Sequence, residues 1–161
     1  MDFFYPNLQN DMWRIVGLIF FQDKEHFLNP EKKVFDKDRI IEFLNDKGIA
    51  LYDTASAIRR LQDSASDKFL EVIEQTDISL LLKQIPMCKA IVTTGQKATD
   101  IIREQIEVKE PTVGTSEPFE FGDKAMKLYR MPSSSRAYPL ALEKKAAAYR
   151  VMFNELGLLN E

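Results

Sequence analysis

Four places in the sequence hold residue types that can act on a ligand. Met131-Pro132-Ser133-Ser134-Ser135-Arg136 sets three consecutive hydroxyls and a guanidinium behind a proline. Short donors and one cation at that density suit the phosphate oxygens of a nucleic-acid backbone; a plain serine linker is the alternative. Thr94-Gly95-Gln96-Lys97 runs an apolar stretch through a glycine into a helical pattern with a lysine, which is competent to hold a phosphate. It lacks the four-residue gap and Lys-Ser/Thr ending of the phosphate-binding loop, and the glycine can equally serve a tight turn. Phe3-Phe4-Tyr5-Pro6-Asn7 places aromatics ahead of the first helical pattern. Exposed, such rings stack on bases at about 1–3 kcal/mol per base; otherwise they pack on the helix that follows. Asp53 follows a short apolar run and can read a ligand edge or cap the turn after it.

Other chemistry is thinly provided for. The chain has 161 residues, 45% apolar and 29% charged, a globular balance for one domain, 1–161. One cysteine, Cys88, excludes an internal disulfide, and with a single histidine, His26, the usual transition-metal ligands are nearly absent. Ser-His-Asp catalysis is not expected, because His26 lies in an early polar stretch with no serine or acid pattern beside it. The longest apolar run, 15–21, is far short of the roughly 20 residues that cross a bilayer, and the N-terminus lacks the order of a secretory signal. A cytoplasmic protein with no metal, no cofactor and no membrane contact is expected. The net charge is −3, but Lys124, Lys127, Arg130, Arg136, Lys144, Lys145 and Arg150 face only Glu143 between 124 and 150. Such a gradient favours an anionic partner on one face; a solvated, lysine-rich helix face is the alternative.

The elements that must position these residues read as follows. Met12, Ile15, Val16 and Ile19 fall at helical spacing after Asn10, predicting a buried helix from Asp11 to about Phe21. The stretch 22–37 reads as loop. A helix is expected over 38–47, stopped by Gly48, and then a short strand, Ile49 to Tyr52, ending at Asp53-Thr54. Ser66 or Asp67 can cap a helix through Phe69, Val72 and Ile73, and Asp77 another that stops at Pro86. Residues 89–95 read as a buried strand running directly into a helix. The segment 111–122 reads as a turn-rich loop, 125–131 as the last strand, and 139–156 as the last helix, ended by Gly157. Helices between single strands predict an α/β fold with a parallel sheet covered on both faces. Ligands then bind at the carboxyl ends of strands, which directs attention to Asp53-Thr54, Thr94-Gly95 and Met131-Pro132-Ser133.

Together these pieces resemble the uracil-DNA glycosylase superfamily, particularly its mismatch-specific (thymine/uracil) and hypoxanthine-DNA glycosylase branches, over nearly the whole chain. Residues 4–13, Phe4-Tyr5-Pro6-Asn7-Leu8-Gln9-Asn10-Asp11-Met12-Trp13, are similar to the family's aromatic segment and Asn-x-Phe-Trp helix start. Residues 48–53 are similar to its second strand, with 64–67 after it, and 90–98 to its third strand and helix. Residues 131–136 are similar to the DNA-intercalation loop of the thymine-DNA glycosylases and carry the most specific match.

The resemblance implies a three-layer α/β/α fold with a short parallel sheet and a DNA glycosylase of base-excision repair. Such an enzyme flips uracil or another deaminated or mispaired base out of double-stranded DNA and hydrolyses its N-glycosidic bond. It further implies that Tyr5 stacks on the flipped base, that Asp53 meets the base edge, and that Ser133, Ser134 and Ser135 contact phosphates with Arg136 near the site of the extruded base. Two departures follow. The chain opens directly in the aromatic segment, without the family's first, central strand and the glycine-containing turn that positions the attacking water. Relative to the family it is N-terminally truncated, no catalytic residue is assigned, and little or no glycosylase activity is expected of these 161 residues. Met131 stands near where uracil-specific members carry a histidine, which points to the mismatch branch. Two alternatives are a non-catalytic DNA-binding module and a small-molecule α/β enzyme that binds a phosphorylated ligand at Thr94-Gly95-Gln96-Lys97.

Overall fold

The computed structural model describes residues 4–52, 55–60, 70–75 and 77–159. The elements in chain order are α1 (Met12–Phe21), β1 (Leu28–Asn29), β2 (Val34–Phe35), α2 (Lys37–Lys47), β3 (Ala55–Arg60), β4 (Leu70–Gln75), α3 (Ile78–Gln84), β5 (Ala90–Thr94), α4 (Gln96–Gln105), β6 (Thr115–Phe121), β7 (Lys124–Met131) and α5 (Leu142–Glu155). They fall into two compact units, Met1–Tyr52 with Ser133–Glu161, and Asp53–Pro132.

In the first unit α1 buries Met12, Trp13, Ile15, Val16 and Ile19 and packs against α5. The inward stripe of α5 is Lys145, Ala146, Tyr149, Met152 and Phe153, the spacing of one helical face. Aromatic edges close the core: Phe20 meets Phe43 and Phe153 at 4.9 and 5.1 Å, and Trp13 meets Phe27 at 6.2 Å, separations at which edge-to-face rings attract. Helix α2 begins where the Asp36 carboxylate accepts the Arg39 N–H and ends at left-handed Gly48. The start of α1 is different. Asp11 occupies the cap position without capping, and the Asn10 side chain accepts the Met12 N–H at 2.9 Å instead.

Gly17 sits inside α1 because the chain returns over it: a Cβ there would lie 2.6 Å from the Asp23 carbonyl oxygen. The clash is with backbone, so it cannot be relieved by turning a side chain. Gly17→Ala is expected to lower stability by about 1–3 kcal/mol, the usual cost of overpacking, measurable by urea denaturation; a neutral result would mean that the 22–26 turn moves freely.

Two expectations change in this unit. The stretch 22–37 holds a two-residue ladder, Leu28 opposite Phe35 and Asn29 opposite Val34, too short to leave a period, with Phe27 and Phe35 as buried anchors. Residues 49–52 are not a strand. Their apolar character is used in packing: Ile49 and Leu51 line a groove of about 230 Å³ with Phe4, Trp13 and Ile40.

The second unit carries a sheet in the order β5-β7-β6. The α/β class holds, and the sheet is mixed: β5 and β7 run parallel, whereas β6 pairs antiparallel with β7. Strand β6 lies in the segment 111–122, where Gly114, Pro118 and Gly122 predict a loop. Pro118 lies on an edge strand, where a missing N–H is tolerated, and Gly122, at φ +60°, makes the two-residue turn into β7 with Asp123. Helices α3 and α4 cover one face of this sheet, with Ile78, Leu82, Ile102 and Ile106 packed on Phe119, Met126 and Leu128. The cap expected of Asp77 begins α3, its side chain accepting the Leu80 N–H, and α4 begins directly after the Gly95 turn. Strands β3 and β4 form a separate antiparallel hairpin. Val72 and Ile73 therefore belong to a strand and not to the expected helix; branched side chains favour the extended chain. Ser66, Asp67 and Phe69 lie outside the described residues.

Candidate nucleic-acid interface

The segment before α1 and the serine-rich loop before α5 are laced together within the first unit. Asn10 and Ser135 form an antiparallel bridge. The Asp11 N–H donates to the Ser134 carbonyl at 2.8 Å, and the Arg136 N–H to the Gln9 carbonyl at 3.0 Å. Asp11 is buried; its Oδ1 accepts from Arg14 Nη1 at 2.9 Å and from Arg136 Nε at 3.1 Å. From below, Lys145 Nζ donates to the Ser135 carbonyl at 2.8 Å and lies 5.8 Å from the centre of the Tyr138 ring.

Ahead of this lattice stands Tyr5. Its φ of +55° is left-handed, a region that a bulky residue occupies at a cost of about 1–3 kcal/mol when its surroundings impose it. Those surroundings are the Trp13 ring, edge-on to Tyr5 at 6.2 Å, and the Trp13 indole N–H, which donates to the Phe4 carbonyl at 3.0 Å. Strain held in this way by a packed core is a feature of ligand-binding positions.

Of the residues singled out from sequence, Tyr5, Ser133, Ser134, Ser135 and Arg136 lie in this one unit. Asp53 lies outside the described residues. The serines are more occupied than expected. Ser134 is buried, the Ser133 hydroxyl accepts the Ser135 N–H, and the Ser135 hydroxyl accepts the Ala137 N–H. The Ser133 and Ser135 oxygens shape the loop first, because a hydroxyl two residues before an amide closes a local turn; each can still offer a ligand its proton and one lone pair. Arg136 is engaged through Nε, and among the described residues Nη1 and Nη2 have no partner.

The basic stretch does not form one run of free charge. Lys124, Lys127 and Arg130 belong to the second unit and the remaining four to the first. Lys145 is 1% exposed, and the Arg130 guanidinium donates to the Pro111 carbonyl and to Gln96 beside Glu110. The turn at Thr94-Gly95 meets the end of β7, with Gly95 N–H on the Met131 carbonyl, so two strand ends adjoin as the fold class requires. The start of α4 is acidic, however: the Gln96 side chain donates to Asp100 at 2.7 Å and to Glu110 at 2.8 Å. The Gln96 bond to Glu110, against some desolvation and helped by Arg130 and Arg103, holds the Glu110 carboxyl below its usual range. A phosphate at this turn would meet two carboxylates.

Asp11 and Tyr149 were not singled out from sequence as site residues, and Lys145 stood out only as one charge of the basic stretch. A signal existed for two of them: Lys145, Tyr149 and Met152 follow the helical stripe, so Lys145 falls on the inward face. Burial lowers the Lys145 ammonium below the usual lysine range, opposed by Asp11 and aided by Arg136. Burial, and then the neighbouring Tyr5, raise the Tyr149 phenol well above its usual value near 10. The two have opposite consequences for stability. Above pH about 10 the unfolded chain loses the tyrosine proton that the folded chain keeps, so Tyr149 costs stability as the pH climbs toward its folded value. Burial of the Lys145 ammonium costs stability while it is charged, and that cost is relieved as the pH rises from its lowered value to about 10.5, the window in which the unfolded chain alone is protonated. Tyr149→Phe is therefore expected to lessen the alkaline loss, with the pH-dependent part of the difference confined to above pH 10 in melting curves; parallel curves for the two proteins throughout would contradict it.

His26 stacks on Phe21 at 3.7 Å, and among the described residues no three His, Cys, Asp or Glu side chains are grouped to hold a metal. Among those residues no helix is long and apolar enough to cross a membrane. No protein-family model matches the chain, and no curated protein or solved structure matches it either.

Proposed function

We propose that the chain is a DNA-binding domain of the uracil-DNA glycosylase kind, acting in base-excision repair: it grips a duplex, extrudes a damaged or mispaired base onto Tyr5, and serves hydrolysis of the N-glycosidic bond. The observation that carries this reading is the Asn10–Ser135 lattice, which ties the strained aromatic segment to the hydroxyl and guanidinium loop in one unit. A stacking ring beside donors for the strand is what a base-extruding protein needs.

Tyr5 supplies the aromatic face and Arg136 the positive charge. Breaking the bond also requires stabilisation of the departing base as an anion and a placed water; no described residue is assigned to either task. Binding to duplexes with a G:U, G:T or hypoxanthine site, compared with a matched duplex, tests the reading, with single-turnover base release measured in parallel. Preferential, salt-dependent binding with little or no release is expected. Fast release would show that these 161 residues complete the chemistry, and equal binding of matched and damaged duplexes would refute both this reading and the non-catalytic module.

A further inference from the structure

We propose that Arg136 clamps a backbone phosphate of duplex DNA and does not enter the base stack, and that Asp11 is the positioning residue that holds it so. The inference rests on the DNA-binding reading and assigns to one side chain a task that the resemblance leaves elsewhere.

Arg136 is restrained at both ends of its reach. Its backbone N–H is fixed on the Gln9 carbonyl, and its Nε is fixed on Asp11 Oδ1 at 3.1 Å. Asp11 cannot follow the arginine outward: its own N–H is committed to Ser134, and its Oδ1 is shared with Arg14. A side chain tethered at Nε is held back from the length needed to fill a gap between base pairs. The tether leaves Nη1 and Nη2 side by side, with no partner among the described residues, on a side chain that is 49% exposed. That paired edge matches two phosphate oxygens. The charge is also in surplus, since the Asp11 carboxylate faces Arg14, Arg136 and, within electrostatic reach, Lys145.

The test compares wild type, Arg136→Ala and Arg136→Lys on a matched and a G:T duplex of equal length across a salt series. Each protein's melting curve checks that it is folded. A phosphate contact carries no sequence information. Arg136→Ala is thus expected to weaken both duplexes by the same factor and to make the slope of log K against log salt shallower by about 1. Arg136→Lys keeps the charge but has no Nε for Asp11, so the slope is expected to return while affinity stays several-fold below wild type. A loss confined to the G:T duplex with the slope unchanged would show a wedge in the stack and overturn the proposal, as would an Arg136→Ala protein indistinguishable from wild type. Thymidine monophosphate competing as well as duplex, per phosphate, would overturn the assignment to DNA. Wild type that binds neither duplex would overturn the DNA-binding reading itself, a result distinct from any of these.

Discussion

Trp13→Ala is expected to destabilise the protein by about 3–5 kcal/mol, the range for deleting a large buried aromatic. The side chain is 2% exposed and meets Tyr5 and Phe27 edge-on, and its indole N–H holds the Phe4 carbonyl. The loss has two parts: the cavity, and release of the segment that keeps Tyr5 left-handed. Trp13→Phe separates them, because it refills most of the volume and restores no N–H donor. Chemical denaturation of both variants measures the total. If Trp13→Phe recovers all of the stability, the bond to Phe4 contributes nothing and the restraint on Tyr5 lies elsewhere.

Asp11→Ala is the second large effect. Asp11 and Arg14 are 11% and 13% exposed at the side chain, so removing the carboxylate strands a nearly buried guanidinium, a change that typically costs about 3–5 kcal/mol. The Leu8 and Asn10 carbonyls also receive Arg14, which places the expected loss at the lower end. Most of the loss belongs to the pair with Arg14, since Arg136 is half exposed and its share is screened by solvent. Asp11→Asn keeps one acceptor oxygen and is expected to lose less. Stability within about 0.5 kcal/mol of wild type for the alanine variant, the range for surface changes away from such features, would show that Asp11 does not bind the lattice together.

Local signals accounted for much of the fold. Asp77 and Pro86 bracket α3, Gly48 stops α2, and a strand runs through Gly95 into α4 where it was expected, with the buried Thr93 and Thr99 hydroxyls 2.8 Å apart. It is an edge strand, however, with Val92 exposed and only Thr93 buried. Failures arose where meaning depends on a partner strand. Pro118 signals a break unless β7 lies on one side only, and residues 49–52 signal a strand unless a groove takes their side chains. The site divides in the same way. Tyr5 and the loop through Arg136 stand out by composition, whereas Asp11 reads as the ordinary acidic start of a helix. Its bond is to an arginine 125 residues away, and no local pattern encodes that contact. Lys145 was hidden differently: charge marked it as surface, although the stripe it shares with Tyr149 marked it as core.

On the proposed function, Tyr5 receives an extruded base beside the loop ending at Arg136. The most direct measurement is the fluorescence of 2-aminopurine placed next to a G:T mismatch, titrated with wild type and with Tyr5→Ala. Extrusion unstacks the reporter, so emission is expected to rise with wild type on the mismatched duplex and not on a matched one. Losing a stacked base costs about 1–3 kcal/mol, so Tyr5→Ala is expected to reduce the preference for the mismatch by about 5- to 100-fold at unchanged salt slope. Emission that stays flat with wild type, or a mismatch preference that survives Tyr5→Ala intact, would contradict the account.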